Sequence, residues 1–154
     1  MTDPTGTLGV VFPITAAHFE NLLSGKNVFC KFVGRLSVGA GNKIVFYQSG
    51  GSRQLVGEAI IKSIALMTPR EAVQAFGNKL FITAIELEKY ASLFKRAPTA
   101  RLSVFELVIV RSYRAPVKFS RPIGPSGVNL TAEIYETIDR IDRSYSAVNT
   151  ERHC

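Results

Sequence analysis

Residues 102–113 constrain the fold more than any other stretch, because Val104, Phe105, Leu107, Val108, Ile109 and Val110 follow one another almost without a polar break. A strand with one wet face alternates apolar and polar side chains, whereas a near-continuous apolar run suits a strand covered on both faces. This segment is therefore expected to be a central strand. The rest of the chain must supply neighbouring strands and helices to cover it.

Both are legible. An opening strand over residues 8–12 leads into a helix over 16–24, with Thr15 as its cap, Ile14 placed to staple onto Phe19, and Gly25 as the left-handed exit. Strands are expected over 28–33, 43–48 and 54–66, close enough in sequence to suggest an antiparallel meander, with Gly57 marking a bulge or a close backbone approach. Thr68, Pro69, Glu71 and Gly77 punctuate a short helix, and Thr83 with Glu86 opens another that runs to Phe94. Pro116 and Pro122 bracket a separate edge strand over 115–121. A last helix over 131–143 repeats Ile134, Ile138, Ile141 and Tyr145 on one face, leaving residues 147–154 as a frayed tail.

The fold class that follows is α+β: a small mixed or antiparallel β pseudobarrel of five to six strands, closed or nearly closed and flanked by helices. The 154 residues fit one domain, set at 1–146. No apolar run is long enough to span a bilayer, and the first residues lack the order of a secretory signal, so a cytoplasmic protein without membrane attachment is expected. Cys30 reads as a small buried hydrophobe, and a disulfide to Cys154 is not expected. His18 and His153 lack metal-site spacing, so neither a metal nor another cofactor is expected.

Charge separates the function classes further. Residues 95–121 hold seven basic side chains against the single acid Glu106, which accounts for nearly all of the net charge of +7. Such clustering suits a phosphate-bearing partner, because neutralised phosphates release their counterions. A solvated basic face is the alternative. The candidate backbone contacts are Arg111, Arg114, Lys118 and Arg121, while Tyr47 and Tyr113 are candidate stacking platforms. The turn over 49–53 ends in Arg53 and offers a weak phosphate cradle.

The run Phe19-Glu20-Asn21-Leu22-Leu23-Ser24-Gly25-Lys26, followed by Lys43-Ile44-Val45-Phe46-Tyr47 and Leu55-Val56-Gly57-Glu58-Ala59, resembles the PUA-like superfamily. More narrowly it is similar to the activating-signal-cointegrator homology (ASCH) branch and to a mainly archaeal family within it. Lys79-Leu80-Phe81-Ile82-Thr83 with Glu86-Leu87 carries the narrower match. The resemblance implies an RNA-binding or modified-nucleotide-binding pseudobarrel with a cleft beside the first helix. Lys26 would stand near that cleft, and Glu58 would read a base amine or pair with Lys26 or Arg53.

Some ASCH-like proteins are amidohydrolases acting on acylated cytidines, with Gly-x-Lys followed by polar positions along the next strand. Here Phe29, Cys30 and Phe32 stand where that polar set is expected, so a binding module is favoured over an enzyme. A Lys26–Glu58 pair is the minimal catalytic candidate that remains. The nucleophile-elbow, phosphate-loop and His-Glu-x-x-His signatures are all missing. The third reading is a protein-interaction module in which the stripe of the last helix serves a homo-oligomer.

Overall fold

The computed structural model describes residues 7–32, 38–49, 53–93, 100–119, 123–124 and 127–152. Strand β1 (Thr7–Ile14) leads to helix α1 (Ala16–Leu23), and β2 (Val28–Lys31), β3 (Lys43–Gln48) and β4 (Gln54–Met67) follow. Helices α2 (Pro69–Phe76) and α3 (Ala84–Leu93) precede the long β5 (Leu102–Lys118), and β6 (Val128–Thr131) runs into α4 (Ala132–Arg152). The six strands form one mixed sheet in the order β2-β5-β4-β3-β1-β6. It is parallel only between β1 and β3.

The helix starts follow their caps. The Thr15 hydroxyl accepts from the His18 amide, and Thr68 with Glu71, like Thr83 with Glu86, forms a reciprocal box satisfying two free first-turn amides. Strand alternation then divides the core. Val10, Phe12 and Ile14 of β1 and Ile44 and Phe46 of β3 face α1, α2 and α3, where the rings of Phe12, Phe46, Phe81 and Phe105 surround Phe29 at 4.8–6.1 Å. Val11, Val45 and Tyr47 face the other way, onto Leu130 and the Ile138 side of α4.

Four expectations are corrected. The sheet is open rather than a closed barrel, with β2 and β6 at opposite edges. The meander does not form: β2 skips its sequence neighbour β3 and pairs with β5, while β3 lies between β4 and β1. The separate edge strand is part of β5, which absorbs Pro116 where four residues, 113–116, oppose Val56 alone and no ladder amide is required of the proline. The apolar run of β5 is buried only in its first half; Val108 and Ile109 are exposed. Strand β6 went unread, and α4 continues to Arg152.

Candidate functional site

The two cores frame two polar arrangements on opposite faces of the sheet. The first centres on Glu58, 3% exposed, which β4 places beneath α4. Its Oε2 accepts from Lys43 Nζ at 2.6 Å, and its Oε1 accepts from Arg111 Nη2 at 3.2 Å and from the hydroxyls of Tyr113 and Tyr135 at 3.1 and 3.0 Å. Arg111 reaches on to Asp142 Oδ2 at 3.1 Å, and the other Asp142 oxygen accepts from the Arg114 amide. A buried charge needs such partners to offset its lost hydration.

This network is a clasp holding α4 on the sheet. Burial lowers the proton affinity of Lys43, but hydrogen bonds to Glu58 and Tyr135 and the charge of Glu58 outweigh it and hold the amine above its ordinary value. Burial, with the adjacent Glu58 charge, pushes the Tyr113 phenol far up, so it stays a donor. Burial opposes ionisation of Asp142, but the Arg114 amide and the Arg111 guanidinium prevail and keep its carboxyl below the usual range.

The clasp redistributes the residues expected to meet a ligand. Glu58 pairs with Lys43 and Arg111, not with Lys26 or Arg53, so the minimal Lys26–Glu58 pair is replaced by a saturated structural cluster. Tyr113 and Tyr47 are core residues whose ring faces are covered. Lys26, Arg53, Arg114 and Lys118 have exposed side chains, while Arg121 lies outside the described residues, as do 50–52 of the proposed phosphate cradle. The α4 stripe is turned inward at Ile138 and half-buried at Ile134, so much of it rests on this chain's own sheet.

The second arrangement is a cleft of about 560 Å³ between the start of α1, strand β2 and α3. Phe29, Phe81 and Ile14 make its walls apolar, and Lys31 lines it from β2. Strand β2 is short and covered on both sides, so Lys31 is drawn in with its neighbours and is 9% exposed. No carboxylate among the described residues pairs with it; its ammonium lies 5.8–5.9 Å from the ring centres of Phe12, Phe29 and Tyr90. That is the outer range of cation–π attraction, and burial lowers the amine to about 8.

At the mouth, His18 Nε2 lies 2.8 Å from Glu86 Oε2, with the imidazole edge-on to Phe81. The His18 contact comes first, then the Thr83 amide, in holding Glu86 down to about 2. Exposed Lys89 adds a cation at the mouth. The cleft thus lies beside the first helix, but its lysine is Lys31 rather than Lys26. The sequence signal was the Phe29/Lys31 alternation, which puts both side chains on one face of a buried strand. Cys30, between them, is buried, and burial pushes its thiol up to about 12.

Among the described residues no helix is long and apolar enough to cross a membrane, and no group of three His, Cys, Asp or Glu side chains is arranged to hold a metal. A comparison with curated proteins finds no match. Among solved structures the chain is similar to the ASCH protein of Zymomonas mobilis, at 17% identity and a TM-score of 0.68 over 85% of this chain and 93% of that one. A single-residue variant of the same protein gives 15%, 0.73, 89% and 98%. A protein from Enterococcus faecalis V583, assigned to the family DUF984, is similar at 14% identity and a TM-score of 0.54, over 70% of this chain and 84% of that one. These likenesses establish the fold. The chain has the fold of the ASCH protein of Zymomonas mobilis, and residues 7–132 match the family described as "Domain of unknown function (DUF365)", so the chain belongs to that family.

Proposed function

We propose that this domain binds RNA and seats one base in the cleft beside α1. The observation that carries the reading is Lys31: an amine without a carboxylate partner among the described residues, in an aromatic-walled cavity of about 560 Å³. Ligand sites commonly combine mostly apolar walls with a few convergent polar groups, in cavities of about 300–1,000 Å³. An aromatic wall accepts the face of any base at about 1–3 kcal/mol. A buried cation gains most from a ligand that brings an acceptor to it.

Backbone contacts fall to exposed cations, chiefly Lys89 at the cleft and Lys26, Arg53, Arg114 and Lys118 elsewhere on the surface. Arg111 has no such part, because Glu58 and Asp142 hold its guanidinium. Fluorescence anisotropy with a labelled single-stranded RNA at two salt concentrations tests the reading. Binding should weaken steeply with salt, and Lys89→Ala should weaken it across sequences and flatten the salt slope by about one ion. Failure of every RNA to bind at low salt would refute it.

A further inference from the structure

Lys31 gives the cleft a hydrogen-bond donor of fixed kind. A lysine ammonium has three donors and no acceptor. Each nearby acceptor already holds one partner: Glu86 Oε1 takes the Thr83 amide and Oε2 meets His18 at the mouth, while the Tyr90 hydroxyl oxygen accepts from the Phe32 amide at 3.2 Å. The Ser49 hydroxyl donates its proton to the Ile14 carbonyl, so that donor is taken and Lys31 is left as the buried charged donor of the cleft. A flat ligand entering the cleft beside Phe81 and Tyr90 meets a donor at Lys31.

We propose that Lys31 makes the cleft selective for bases bearing a keto oxygen, so that uracil is bound in preference to adenine. The inference rests on the RNA-binding reading and adds its specificity. A uracil keto oxygen accepts from the ammonium, which has no carboxylate partner among the described residues. Adenine has no keto oxygen: its amino group turned to the same point sets donor against donor, and it can satisfy the ammonium only by turning a ring nitrogen to it. Sites that leave a buried polar group unpaired discriminate far more strongly than those that merely lose a methylene. The aromatic walls, indifferent to base identity, supply affinity to both ligands and leave the choice to Lys31.

Equal-length labelled oligo-uridylate and oligo-adenylate are titrated against the full chain and against Lys31→Met, which keeps the aliphatic stem, with circular dichroism as the fold control. The expected result is at least about a tenfold preference for oligo-uridylate, as one good base-edge contact provides. Lys31→Met should reduce it to near unity while salt-dependent binding persists. If Lys31→Met does not fold, Lys31→Gln takes its place, and the added amide carbonyl should raise adenylate affinity relative to uridylate. Equal binding of both oligomers to the native chain, or a preference that survives in the variant, overturns the inference and leaves RNA binding standing. Absence of binding to either oligomer at low salt removes both readings together.

Discussion

Asp142 on α4 and Arg111 on β5 are joined at 3.1 Å, and the second Asp142 oxygen takes the backbone amide of Arg114, freed from the ladder by the β5 bulge. One carboxylate thus ties the helix to a side chain and to the backbone of the same strand. Hydrogen bonds to charged groups contribute about 1.5–3 kcal/mol. Asp142→Ala should cost about 2 kcal/mol in urea unfolding, with faster amide exchange in α4 than elsewhere.

The same group sets an acid limit. The folded Asp142 carboxyl lies below its ordinary value of 3.8, so it stabilises fully above that value and the contribution is lost as pH falls through the folded value. Glu86, held at about 2 against an ordinary 4.5, acts in the same direction, discounted because it is exposed. Stability measured from pH 5 down to 2 should decline, and less steeply in Asp142→Asn.

Glu58→Ala should be far more damaging than its single negative charge suggests, because it strands Lys43, Arg111 and two tyrosine hydroxyls. Breaking a buried pair from one side costs about 3–5 kcal/mol. A thermal midpoint within a few degrees of the native chain would show that the clasp carries no such energy.

Lys31 is expected to act oppositely, as a position that costs stability. Burial lowers its amine from 10.5 to about 8, and each tenfold change in proton affinity is worth about 1.4 kcal/mol, so Lys31→Met should stabilise the fold at neutral pH by up to about 3 kcal/mol. Between pH 8 and 10.5 the unfolded chain binds the extra proton, so native stability rises with pH there and the advantage of the variant shrinks. Urea titrations at pH 7 and 10 check both sign and size.

Two backbone sites give a matched pair. Ile109 has φ of +51°, where a β-branched residue is strained by about 1–2 kcal/mol, and its side chain is 69% exposed. Asparagine tolerates that conformation, so Ile109→Asn should raise stability by about 1 kcal/mol. At Gly57, a Cβ would stand 2.3 Å from the Phe19 ring and 2.4 Å from the Arg111 carbonyl oxygen, so Gly57→Ala should lower it by about 1–3 kcal/mol.

Local rules made part of this molecule readable. The capping boxes at Thr68 and Thr83, the exit at Gly25 and the bulge at Gly57 depend on neighbours a few residues away, and each stands where its residues indicate. Strand partners are set by long-range packing, so the β2–β5 pair and the parallel β1–β3 pair were not legible. The basic count of residues 95–121 was legible, but its distribution was not, because neutralisation of Arg111 requires Asp142 from a helix 31 positions away. Lys31 escaped for a related reason: in the sequence it interrupts the apolar run of residues 28–33 as an outward-facing strand lysine would. Only the burial of β2 beside Tyr90 of α3 turns it inward, toward the rings of Phe29 and Tyr90.

The parallel partnership of β1 has a consequence for biogenesis. Its two neighbours are β3 and β6, and Thr7 is paired with Thr131, so β1 gains its second flank only after residues 128–131 emerge. Contacts between such remote segments slow folding. Until β6 leaves the ribosome, one side of β1 offers unpaired amides and carbonyls to any extended chain nearby.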